Sequence, residues 1–201
     1  MSIRVTIPNL YADLLRSLRA LRADPSPVAA SRAVVEAALG DGQAHYGINT
    51  GFGALARQRV APEQLGQLQH NLLLSHAVGV GPLVPKAIAR LMLHLKIHAL
   101  GLGHSGVSLE TFSRLLDFAR LDLVPAVPSK GSLGASGDLA PLAHLALPLL
   151  GLGAFWDARG RDTVPAAEAL ARHDLEPIAL QPKDGLALIN GTQLMAAYGA
   201  H

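Results

Sequence analysis

Gly131-Ser132-Leu133-Gly134-Ala135-Ser136-Gly137-Asp138-Leu139-Ala140-Pro141-Leu142-Ala143-His144 is the most informative run of this 201-residue chain, and the three small residues at its centre decide how it is read. Gly137 has no Cβ, so its amide nitrogen can approach the Ala135 carbonyl carbon without steric obstruction. Cyclisation there, with loss of water from the Ser136 side chain, gives a five-membered ring carrying an exocyclic methylene. Such a ring is an electrophile, which none of the twenty ordinary side chains supplies. The same letters also describe an ordinary helix N-terminus, a Gly-rich turn with Ser136 or Asp138 as cap before an apolar stretch.

Two other motifs fail on the residues present. A nucleophile elbow needs G-x-S-x-G, and Asp138 stands where the second glycine belongs. A phosphate loop ends in Gly-Lys-Ser/Thr, whereas Lys130 precedes the glycines.

Composition narrows the class. Half of the residues are hydrophobic but only 4% are aromatic, so the core is built from Leu, Ala, Val and Ile, and Leu- and Ala-rich segments favour helix. The absence of cysteine excludes disulfides and thiolate metal sites. A net charge of +2 with scattered basic residues argues against nucleic acid as a partner. Leu139 to Trp156 reaches membrane-spanning length, but Pro141, His144, Pro148, Gly151 and Gly153 interrupt it, so it reads as buried helix and turn. The expectation is a cytoplasmic protein with no membrane partner.

Apolar periodicity and Gly/Pro punctuation divide the chain. A short strand is expected over residues 3–7, then a helix with Leu10, Leu14, Leu15, Leu18 and Leu21 on one face, broken at Asp24-Pro25. Further helices are expected from there to Leu39, from Pro62 to Val78, from Pro85 to Leu100, from Ser108 to Leu121, over 138–150 and over 165–172, with a small hairpin over 154–164 around Arg159-Gly160. A final helix runs from Asp184 and stops in mid-pattern at His201, so the expected organisation is a single domain over 1–201, truncated within a helix.

Four further features invite chemistry. His45-Tyr46-Gly47-Ile48-Asn49-Thr50-Gly51-Phe52-Gly53 reads as turn residues or as a lid carrying a tyrosine, which acts as a base only if its phenolate is stabilised. His76, in Leu72-Leu73-Leu74-Ser75-His76-Ala77, reads as a core histidine or a ligand-binding one. Asn190 before Gly191 is costly within a helix, which leaves a local kink or a binding role. His94 and His98 lie four apart but lack the glutamate of H-E-x-x-H, so no metal is expected.

Taken together, the 45–53, 72–77, 131–144 and 189–193 runs resemble the aromatic amino acid ammonia-lyases, and the resemblance extends from about residue 40 to His201. It implies the N-terminal part of that family's helical fold. It implies that Ala135-Ser136-Gly137 matures autocatalytically to 4-methylidene-imidazol-5-one (MIO), that Tyr46 is the general base, and that His76 and Asn190 contact the substrate. The Ser75-His76 pair resembles histidine ammonia-lyases, where phenylalanine lyases carry Phe-Leu; tyrosine lyases can also place a histidine nearby. The implied reaction is non-oxidative deamination of L-histidine to trans-urocanate and ammonia in a homotetramer. Members of the family run to more than twice this length, and their later half supplies a carboxylate-binding arginine, a second tyrosine and a glutamate. The alternative is therefore a catalytically incomplete, lyase-derived helical module acting in assembly or binding.

Overall fold

Leucines at helical spacing form α1 (Leu10–Ala23), whose Leu10, Leu14 and Leu18 are buried. Asp24-Pro25 ends it, the Asp24 carboxylate accepts the Ser26 N–H (3.1 Å), and α2 (Ser26–Gly40) follows with Pro27 in its first turn. The computed structural model describes residues 3–133 and 137–201, and these are mostly helical. After the 45–53 loop come α3 (Leu65–His76), strand β1 (Val80–Leu83) and α4 (Lys86–Gly101). Then follow α5 (Leu109–Leu121), β2 (Pro128–Lys130) and α6 (Leu139–Ala146), which tightens into a 3-10 turn over Leu147–Leu150. The chain finishes with β3 (Ala154–Trp156), β4 (Thr163–Pro165), α7 (Ala166–Ala171), α8 (Asp184–Ile189) and α9 (Gln193–Ala200).

The middle of the molecule is α4. It packs against α1, α2, α5 and α9, and its buried positions include Ile88, Ala89, Leu91, Met92, Leu93, Ile97 and Leu100. Helices buried on most sides carry apolar residues nearly all round rather than on one stripe, as α4 does. Ser108 starts α5 by accepting the Thr111 N–H (3.2 Å), and Asp122 ends it in the left-handed region at φ 53°.

The expected hairpin is present: β3 and β4 pair antiparallel, Phe155 opposite Val164. The strand expected over residues 3–7 is not. Thr6 is extended, but its N–H and hydroxyl both donate to Asp13 (3.0 and 2.8 Å), and Ile7–Asn9 turn into a 3-10 helix. A strand requires a neighbour for its backbone groups, and here a carboxylate takes that place. A second two-stranded sheet joins β1 to β2, with Val80 opposite Lys130 and Leu83 opposite Pro128. The final helix is two helices, broken at Asn190, which caps α8 in an extended conformation.

No helix among the described residues is long and apolar enough to cross a membrane.

Candidate active site

Of the triplet at the centre of the 131–144 run, Gly137 is described, while Ala135 and Ser136, together with Gly134, lie outside the described residues. Gly137 is buried, has φ +96°, and forms a parallel bridge with Gly191. A Cβ at this position would stand 2.8 Å from the Gly191 carbonyl carbon, with the carbonyl oxygen nearer still. Both the dihedral and the space therefore require glycine.

Asp138 clamps this approach. Its N–H donates to the Gly191 carbonyl (2.7 Å), and its fully buried carboxylate accepts the Ser132 hydroxyl (2.6 Å) and the N–H groups of Leu194 (2.7 Å) and Met195 (3.1 Å). Those amides open α9 and have no partner within their own helix. The sequence reading of Asp138 as cap of the helix it precedes does not hold. The side chain makes no cap bond to α6, which it precedes, and caps α9 instead.

Asn190 lies one residue from Gly191 and is exposed; its N–H closes α8 on the Leu186 carbonyl (3.1 Å). Asn190 therefore stands next in the chain to the residue that bridges Gly137. The other two candidates lie on segments that touch α8. In the Tyr46 loop, Gly47 (φ +71°) lies against the Leu186 side chain, and Tyr46 itself is 56% exposed, edge-on to Phe52 at 5.8 Å. Helix α3, which ends in His76, packs on α8, where Gln69 Oε1 accepts the Gly185 N–H (2.9 Å). His76 is half-buried, and its Nδ1 donates to the Leu72 carbonyl (2.8 Å), so the neutral ring keeps its lone pair on Nε2. Just beyond, the Gly79 N–H donates to Nε2 of His144 (3.0 Å), tying the end of α3 to α6. Burial holds His144 below the usual histidine range, in keeping with that acceptor role.

His94 and His98 go separate ways. His98 Nδ1 meets the Ser17 hydroxyl at 2.7 Å. His94 is buried and pushed down to about 4, first by desolvation and then by Arg90, against a smaller pull from Asp122. Among the described residues no group of three or more His, Cys, Asp or Glu is placed to hold a metal ion.

Two residues to which the sequence reading assigned no such role organise the site. Asp184 is fully buried and accepts from the Ser108 N–H and hydroxyl, the Thr111 hydroxyl and the Gln181 N–H, at 2.7 to 2.9 Å, so it fixes the start of α8 against the start of α5. Lys96, only 2% exposed, reaches from α4 to the Asn190 carbonyl (2.9 Å). The sequence holds a signal for it: Lys96 shares the helical face of Ala89, Met92, Leu93 and Leu100, all core residues, so a cation there points inward.

A family model for aromatic amino acid lyases matches residues 19–201, and the chain belongs to that family. Among its relatives, histidine ammonia-lyase of Anaeromyxobacter dehalogenans (strain 2CP-C) is 55% identical over 174 residues, covering 84% of this chain and 34% of the relative. The crystal structure of histidine ammonia-lyase from Trypanosoma cruzi matches with a TM-score of 0.79 at 41% identity, over 88% of this chain and 34% of that one. Tyrosine aminomutase from Streptomyces globisporus matches with the same TM-score at 36% identity, over 88% and 32%. The chain spans about a third of the length of the proteins it matches.

Proposed function

We propose that this chain is the N-terminal, lyase-like domain of an enzyme that removes ammonia from L-histidine without oxidation, giving trans-urocanate. The observation that carries the reading is the seat of Gly137, a buried glycine at φ +96° against the Gly191 backbone, directly after Ala135-Ser136. Once formed from this triplet, MIO supplies an electrophilic methylidene carbon that activates the amino acid for loss of its amine. Tyr46, on a loop with glycines at 47, 51 and 53, takes the β-proton. His76 presents the Nε2 lone pair to an imidazole N–H of the substrate, a preference its hydrogen bond to Leu72 sets in the neutral ring. The Asn190 side chain, exposed beside the Gly137 seat, hydrogen-bonds near the reacting centre. The reaction uses no metal, and the working protein is a cytoplasmic homotetramer.

The test is intact-mass spectrometry and a urocanate assay on the full-length gene product. Ring formation removes two waters, about 36 Da, and Ser136→Ala, which lacks the leaving hydroxyl, cannot lose the second of them and so never shows the full loss. Tyr46→Phe should retain the mass loss while kcat falls by about 10²–10⁴. A full-length protein with no mass loss and no urocanate from histidine would refute the reading and leave the assembly module in its place.

A further inference from the structure

Lys96 is a costly side chain to place in the core. An ammonium taken out of water is unfavourable unless it is well paired, and burial pushes Lys96 down to about 7. A methionine would fill the same space without that penalty, so the amine has to supply something a hydrocarbon cannot. Among the described residues it makes one hydrogen bond, to the Asn190 carbonyl. That carbonyl ends α8, a six-residue helix too short to be stable alone, where main-chain oxygens lack partners within the helix. The next residue, Gly191, forms the bridge with Gly137 and accepts the Asp138 N–H.

The turn 190–195 is thus gripped from two sides. Asp138, just before α6, holds its later amides and the Gly191 carbonyl. Lys96 holds its first carbonyl from α4, the helix in the middle of the molecule. We propose that Lys96 is a positioning residue for ring closure at Ala135-Ser136-Gly137: by fixing the Asn190 carbonyl it makes the Gly191 backbone a rigid stop against which Gly137 is pressed. The proposal rests on the reading of the triplet given above. In that closure the Gly137 nitrogen bonds to the Ala135 carbonyl carbon. The carbonyl oxygen leaves as water with the amide hydrogens of Ser136 and Gly137. The Ser136 hydroxyl leaves as a second water with its α-hydrogen. No oxidant or reductant enters. Lys96 does not touch the reacting atoms in this account; it acts through Asn190 and Gly191.

Lys96→Met and Lys96→Arg in the full-length gene product, each followed by intact mass against time after refolding and by urea unfolding, test this. Lys96→Met should keep or raise the urea midpoint, since a buried cation is replaced by an apolar chain of similar length. It should nonetheless slow the loss of about 36 Da by about tenfold or more, the rate equivalent of one hydrogen bond to a charged group. Lys96→Arg, which keeps an N–H donor, should close faster than Lys96→Met. Closure of Lys96→Met at the wild-type rate would overturn the proposal, as would slowing that merely tracks a lowered midpoint. Absence of the mass loss in the wild type would instead overturn the ring reading itself, and the role of Lys96 with it.

Discussion

Replacing Asp138 by alanine should loosen the clamp between α6 and α9 by an amount that follows from its partners. Three groups donate to the carboxylate, but they do not lose equally. Ser132 is exposed and turns to water, so its loss is close to neutral. Met195 is also exposed and its amide is partly rehydrated. Leu194 is 2% exposed, and its N–H is left in a dry environment without an acceptor. The two α9 amides are the cap, so their loss is counted once, at about 1–3 kcal/mol for an unsatisfied buried donor, which overlaps the usual range for a lost cap. Recovery of the carboxylate's own desolvation offsets part of this, which leaves a net destabilisation of about 2 kcal/mol. With a urea slope of about 2 kcal/mol per molar, the midpoint drops by about 1 M. Asp138→Asn keeps one acceptor oxygen for the α9 amides and should lose less than half as much. Urea unfolding measures the global effect, and hydrogen exchange at Leu194 and Met195 shows whether α9 opens locally first. An alanine variant whose midpoint moves by less than about 0.3 M, with unchanged exchange at those two amides, would refute the assignment of Asp138 as the cap of α9.

Two predictions concern other parts of the molecule. Gly137→Ala places a methyl group against the Gly191 carbonyl at a positive φ; it should destabilise the protein by about 2–4 kcal/mol and abolish the 36 Da mass loss, as read by urea unfolding and intact mass. His94, held at about 4 mainly by burial, binds fewer protons in the folded than in the unfolded chain as pH falls from 6.5 toward 4, so stability drops across that window. The loss reaches about 3 kcal/mol at most, and His94→Leu should flatten this part of the stability-versus-pH curve.

Most of the helices were legible because their signals are local. Leucine spacing marks α1, and Pro85 and Gly101-Leu102-Gly103 bracket α4. The errors came where a partner distant in sequence decides the outcome. Residues 3–7 have the composition of a strand, but only the fold reveals that Asp13, not another strand, meets Thr6. The β1–β2 pair joins two proline-bearing segments, Val80–Leu83 and Pro128–Lys130, that carry turn signals rather than strand ones. The break at Asn190 is visible as a helix-weakening Asn-Gly, yet what holds it open is Lys96 of α4 and Asp138, the residue before α6. The candidate residues themselves were named from motifs. Their supports, Asp184 and Lys96, required the packing to be seen, because a buried charge in a sequence looks like any other charge until its neighbours are known.

The bridge between Gly137 and Gly191 has a consequence in time. Synthesis runs from the N-terminus, so the 131–138 run leaves the ribosome well before the residue that must press on Gly137 has been added. Until Gly191 is made and its turn seated, the geometry at Gly137 does not exist. A backbone reaction that depends on this geometry is therefore closed to the nascent and the misfolded chain alike. If the ring proposed above forms there, the waters lost do not return, and the mass of each molecule is then a permanent record of whether that chain ever reached its native topology, readable long after the molecule has been unfolded again.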